Sequence, residues 1–184
     1  MRNQLYQLSE TDIAFPNPEY ALESPDGLLA IGGDLSLPRL SNAYKSGIFP
    51  WFSEDEPIMW WSPSERGIFE LNDFHISKSL RKHLKKHPVR VTINNAFEEV
   101  IEACLDQRLD TDGNCSKLAM WALVNWLKRH NAHFIDCQLE NPYLMTLGAQ
   151  VIPRSTFLTK LKAAHNYTVN PIMWEPQELD AIYE

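Results

Sequence analysis

Apolar and polar residues alternate along this chain with two periods. From Lys78 the basic positions Lys78, Arg81, Lys82, Lys85 and Lys86 fall at i, i+3, i+4, i+7 and i+8, with Ile76, Leu80 and Leu84 on the other side. That spacing predicts a helix with a cationic stripe and an apolar face, stopped by Pro88. Val89 to Ile93 then alternates as a short strand. Asn95 and Glu98 have capping-box spacing ahead of Val100, Ile101 and Cys104, so a helix is expected from about Asn95 to Asp106. Ser116 opens another, carrying Leu118, Trp121, Ala122, Leu127 and Arg129 and ending near Asn131. His133 to Leu139 reads as a strand, with Ile135, Cys137 and Leu139 on one face and Phe134, Asp136 and Gln138 on the other. Pro142 to Leu147 should form a short helix stopped by Gly148, followed by a strand at Gln150 to Ile152 and a helix after Arg154. Upstream, Gly32-Gly33-Asp34 makes a tight turn into a helix starting near Ser36 and closed by Gly47. The fold class is α/β or α+β.

Between Phe15 and Ser62, Trp51, Trp60 and Trp61 stand among prolines, glycines and acids, outside any clear helical or strand period. One reading is a rigid cleft whose indole faces stack on a base or another ring. The other is a tryptophan-rich corner of the core. Spacing leaves both open.

Composition adds bounds. With 184 residues, 44% hydrophobic and 22% charged, the chain can bury one good core or two small ones. It has no apolar run long enough to span a bilayer and no charged-then-apolar leader, so no membrane association and a cytoplasmic location are expected. Cys104, Cys115 and Cys137 are odd in number and lack C-x-x-C spacing, which argues for reduced thiols.

The net charge of −7 alone argues against a nucleic-acid partner, but its distribution reverses the inference. Lys78, Arg81, Lys82, Lys85, Lys86 and Arg90 lie in one segment without an acid, while the other 11 basic residues are set against all 24 acidic ones. Such a stripe grips phosphates and shape without reading bases. A solvated lysine-rich face is the plainer alternative. His83 and His87 are i, i+4 apart but lack a third ligand and sit among cations, so no metal is expected. The Gly32-Gly33-Asp34 turn lacks the lysine and hydroxyl of a phosphate-cradling loop. Asp136 and Gln138, neighbours on one strand face, suit joint handling of one polar substrate and equally suit an exposed sheet surface.

Three motifs in order, Gly27-Leu-Leu-Ala-Ile-Gly-Gly-Asp-Leu35, Tyr44-Lys-Ser-Gly-Ile-Phe-Pro-Trp-Phe52 and Ile58-Met-Trp-Trp-Ser-Pro63, resemble the amino-terminal signature of bacterial leucyl/phenylalanyl-tRNA–protein transferases. Phe134-Ile-Asp-Cys-Gln138, Leu147-Gly-Ala149 and Ile152-Pro-Arg154 resemble the carboxy-terminal signature of the same family. The resemblance implies a small amino-terminal domain, residues 1–62, and an N-acetyltransferase-like domain, residues 63–184. It implies transfer of leucine or phenylalanine, with methionine as a further donor, from aminoacyl-tRNA to proteins beginning with Arg or Lys, which marks them for degradation. No cofactor is used, and the enzyme is expected to be a monomer. Asp136 and Gln138 match the family's catalytic pair; Trp51, with Trp60 and Trp61, matches the substrate site; Lys78 to Lys86 and Arg90 match the tRNA-binding surface. The family's central block, with its T-W-I and G-E-S-M-F-S motifs, has no counterpart here, so a gap is expected near 108–109 and the second domain is incomplete. A coenzyme-A-dependent N-acetyltransferase is an alternative weakened by the lack of a glycine-rich pyrophosphate loop. A noncatalytic RNA-binding module is another.

Overall fold

A computed structural model of the chain describes residues 4–86, 89–105 and 115–179, with the side chains at 83–85, 103–105 and 115–116 outside that description. In chain order the elements are β1 (Tyr6–Leu8), β2 (Leu28–Gly32), α1 (Leu37–Lys45), β3 (Phe49–Pro50), β4 (Met59–Trp61), β5 (Glu65–Glu70), α2 (Lys78–Lys86), β6 (Thr92–Ile93), α3 (Phe97–Leu105), α4 (Cys115–Arg129), β7 (Phe134–Gln138), α5 (Pro142–Thr146), β8 (Gln150–Pro153), α6 (Arg154–Ala164) and β9 (Gln177–Glu178). Helices and strands are mixed throughout, an α/β composition. Two compact units emerge: Met1–Ile68 with Asp136–Asn141 and Gln150–Asn166, and Phe69–Ile135 with Pro142–Ala149 and Tyr167–Glu184.

The first unit is built on a sheet of order β1-β2-β4-β3, in which β1 runs parallel to β2 and the other pairs are antiparallel. β2 is a continuous apolar run, Leu-Leu-Ala-Ile, as a strand covered on both faces should be. Leu29, Ala30 and Trp60 from the sheet pack with Leu8, Ile48 and Ala43 of α1. α1 begins after Ser36 with Pro38 in its first turn, where a missing N–H is harmless. It ends at Gly47, whose φ of 77° is open to glycine; a Cβ there would meet Leu158 Cδ2 at 2.6 Å and Phe157 Cε1 at 2.9 Å. A second sheet has the order β7-β5-β8, with Arg66 opposite Ile152 and Gly67 opposite Val151. β5 is its central strand, and Arg66 to Phe69 are buried.

The second unit centres on α4. Val124 and Leu127 pack with Leu71 and Met173, and Leu118 and Trp121 pack with Leu80 of α2. Of the strand expected over Val89 to Ile93, the described residues show Thr92–Ile93, paired with Gln177 and Glu178 of β9 and preceded by a Leu179 N–H donated to Val91 O. The helix expected from Asn95 starts at Phe97, after Asn94 takes a φ of 54°. Asp106, and the Pro88 stop, lie outside the described residues.

Candidate active site

Arg66 is the fixed point of the first unit. Its side chain is buried, and its guanidinium lies between the rings of Phe49 and Phe157, 4.6 Å from each centroid. Nη1 donates to Gly47 O at 3.4 Å, while Nε and Nη2 donate to Asp136 Oδ1 and Oδ2 at 2.7 and 2.5 Å. A guanidinium removed from water is tolerated when its flat faces are stacked and its edge is paired with an anion, and both conditions hold here. Gly67, the next residue, lets β5 approach β7: a Cβ there would meet Leu139 O at 2.6 Å.

Asp136 Oδ1 also accepts the backbone N–H of Gln138 at 2.9 Å, a turn closed by a side chain two residues back. Gln138 has a φ of 63°, so the alternation that set Phe134, Asp136 and Gln138 on one face stops before Gln138. Of the roughly four acceptor directions on a carboxylate, three are taken. The Asp136 side chain keeps 28% of its surface exposed, which leaves Oδ2 room for one hydrogen bond from the open side. Between them, Cys137 has its thiol pushed up to about 11, by burial first and by the charge of Asp136 second. It therefore stays protonated near neutral pH and offers no thiolate nucleophile.

The three tryptophans separate. Trp51 is 63% exposed, and its carbonyl accepts Trp61 Nε1 at 2.7 Å. Both line a cleft of about 190 Å³ with Phe49, Pro63, Leu139 and Asp26. Asp26 is held by the Ser64 N–H, 3.1 Å from Oδ2. The cleft is smaller than the ~300–1,000 Å³ of pockets for drug-sized ligands, the scale of one ring or side chain. Trp60, by contrast, is 0% exposed, donates Nε1 to Gly32 O at 2.9 Å and meets Phe15 edge-on. It is a core residue with no face open to a ligand. The cleft and the core corner are thus both present, divided between neighbouring residues.

In the second unit, Lys78, Arg81, Lys82 and Lys86 are exposed along α2 while Leu80 is buried. Arg81 also lies over the Trp121 ring at 5.7 Å. Arg90 is exposed beyond the helix and 3.9 Å from the exposed Glu178, a weak pairing. Lys85 lies on α2 with its side chain outside the described residues, as does that of His83; His87 is outside them altogether. Among the described residues no three His, Cys, Asp or Glu gather as a metal site, and no helix is long and apolar enough to cross a membrane. A wider polar cleft of about 580 Å³, bordered by Asn72, Lys128, His133 and Tyr167, contains none of the motif residues.

Arg66 escaped the sequence reading. Its only signal was a basic residue directly ahead of the short run Gly67-Ile68-Phe69, between Glu65 and Glu70, and the burial that demands a partner for it appears only in the fold.

Comparison with known proteins places these features in a family. The model of the leucyl/phenylalanyl-tRNA protein transferase N-terminal domain matches residues 33–64, and that of the leucyl/phenylalanyl-tRNA protein transferase matches 68–114 and 109–162. A leucyl/phenylalanyl-tRNA–protein transferase of Pseudoalteromonas translucida is 65% identical over 238 positions, covering 100% of both chains. Proteins of the same name from Pseudoalteromonas atlantica, 39% identical with 96% of this chain and 98% of the relative covered, and Pectobacterium atrosepticum, 36% identical with 96% and 97% covered, are also similar. The chain belongs to the leucyl/phenylalanyl-tRNA–protein transferase family, a family of aminoacyltransferases. Its 184 residues set against 238 aligned positions leave at least 54 positions opposite a gap in this chain, and the two segments matched by the family model overlap at 109–114.

Proposed function

We propose that this chain transfers leucine or phenylalanine, with methionine as a further donor, from aminoacyl-tRNA to the amino-terminal Arg or Lys of a protein, as a cytoplasmic monomer without cofactor, marking the protein for degradation. The observation that carries the proposal is 65% identity to a transferase of that name along the whole chain. In the reaction the acceptor's neutral α-amine attacks the ester carbonyl carbon. A C–N bond forms, the C–O bond to the ribose breaks, and the ribose oxygen leaves with the proton the amine gives up. Because the ester is already activated, positioning and electrostatics supply most of the acceleration.

The unit containing Arg66 supports this reading through its geometry. A carboxylate is a poor base near neutral pH, so Asp136, held through both oxygens by Arg66, is given alignment of the amine in place of full proton abstraction. Its remaining acceptor direction on Oδ2 can take one amine hydrogen and so aim the nitrogen lone pair. Gln138, tied to it through the backbone, offers a carboxamide as donor and acceptor. Trp51 and Trp61 form a flat apolar surface for the terminal adenosine or the amino-acid side chain. Lys78, Arg81, Lys82, Lys85, Lys86 and Arg90 take tRNA phosphates.

The test is Asp136→Asn, assayed with charged tRNA and a peptide beginning with Arg. Transfer at limiting acceptor should fall about ten- to a hundred-fold, the range of a lost hydrogen bond to a charged group. Binding of charged tRNA should persist. Gln138→Ala should lower transfer too, and the double variant should fall short of the two losses combined. Normal transfer by Asp136→Asn at low acceptor concentration would remove Asp136 from the reaction.

A further inference from the structure

Phe97, Val100 and Ile101 occupy i, i+3 and i+4 of α3, the spacing of a helix face made for burial. They are nevertheless 70, 53 and 45% exposed. Glu98, Glu99 and Glu102 are exposed as well, so the described part of α3 leaves its apolar stripe and its acidic flank in solvent together. A groove of about 180 Å³ runs from Phe97 and Val100 to Thr92 and Asn94. Asn94 in turn donates Nδ2 to the carbonyl of Trp174, whose neighbour Ile172 is also exposed. Single exposed apolar residues are ordinary; three on one helical stripe beside a groove mark a surface meant to be covered.

The alignment says by what. At least 54 positions of the Pseudoalteromonas translucida relative fall opposite a gap, and the family model breaks at 109–114, a few residues past the end of α3 at Leu105. A stretch joined to the chain at that point lies within about a dozen residues of the stripe in sequence. We infer that the Phe97–Val100–Ile101 face and its groove are the docking seat of the polypeptide stretch that relatives carry there, and that this chain keeps the seat able to bind that stretch supplied as a separate molecule. The inference does not depend on catalysis.

The probe is the stretch of the Pseudoalteromonas translucida protein aligned opposite the gap, expressed alone and titrated into the full chain by calorimetry. Saturable one-to-one binding is expected, weakened at least ten-fold by the double variant Phe97→Ser, Val100→Ser. Because both side chains are exposed, the variant should keep the circular dichroism and melting curve of the parent. No binding, or equal binding by parent and variant, overturns the inference. So does a concentration-dependent dimer of the chain alone that the same variant dissolves, since the face then belongs to a second copy. If the isolated stretch is insoluble, grafting it between Arg108 and Leu109 provides the reading instead: backbone amides of Val100 to Glu102 should exchange at least ten-fold more slowly in the graft, and unchanged exchange overturns the inference.

Discussion

Trp51 and Trp60 stand nine positions apart with the same side chain, and the fold gives them opposite tasks. Trp60 is enclosed by Leu29, Ala30 and Phe15 and donates its indole N–H to Gly32 O; Trp51 is largely exposed at the cleft. Trp60→Ala should therefore lower unfolding stability by about 3–5 kcal/mol, read from urea denaturation. Trp51→Ala should leave the urea midpoint nearly unchanged and reduce donor use by about 1–3 kcal/mol, read from kcat/KM for aminoacyl-tRNA. The reverse pattern would place Trp51 in the core. Sequence did not show that Trp60 and Trp61 are adjacent on a strand, and so could not say that they face opposite ways or which of them is inward. That choice rests on the pairing of β2 with β4, a long-range contact. Asp136 was legible from its motif, whereas its guanidinium partner was not, being 70 positions away on a different strand.

At the scale of elements, the helices were legible because their periods are local, whereas of the strands only β6, β7 and β8 were read in advance and β1 to β5 and β9 were not. α1 is the clearest: the Gly-Gly-Asp turn, a start after Ser36 and Gly47 at its end all appear where the sequence put them. The turn also stores a charge relation. Asp34 accepts from Ser36, side chain and backbone, and then from Arg39, which together hold its carboxyl down to about 2 from the usual 3.8. Since the folded value lies below the unfolded one, the stabilisation is fully present above about pH 4 and disappears as pH falls through about 2. Urea midpoints of the parent and Asp34→Asn measured from pH 6 to pH 2 should differ by a constant amount above pH 4 and converge towards pH 2. A difference that persisted at pH 2 would show that the carboxylate is not responsible. Less legible were the short strands, because they exist through pairing with distant residues, as Thr92–Ile93 pairs with Gln177–Glu178. The exposure of α3 was hidden for a related reason: its pattern asks for a covered face, and only the rest of the fold shows whether anything covers it.

For the whole molecule, the division into two units could not be read from any local pattern, since each unit is assembled from separated segments. The charge distribution could. A chain of net charge −7 approaches an anion only if its cations are gathered, and α2 gathers them with Leu80 facing inward and Lys78, Lys82 and Lys86 outward. Replacing Lys78, Lys82 and Lys86 by Ala should reduce the slope of log affinity for tRNA against log salt by about 2–3, with an unchanged melting temperature, because each exposed cation contributes chiefly by releasing a counterion. An unchanged slope would reduce α2 to a solvated surface.

The guanidinium clamp of Arg66 also sets a timetable during synthesis. The cluster of Leu8, Leu29, Ala43, Ile48 and Trp60 is complete once the first 60 residues have left the ribosome, so it can condense early. Arg66 follows six residues later with only Phe49 and Gly47 O at hand; Asp136 and Phe157 have not yet been made. At about 5–20 residues per second the wait for Phe157 is roughly 5–20 s. Through that interval the nascent chain carries a cation whose counter-charge is still to come beside a partly finished sheet, and that half-clamped form is the one that cellular chaperones would meet.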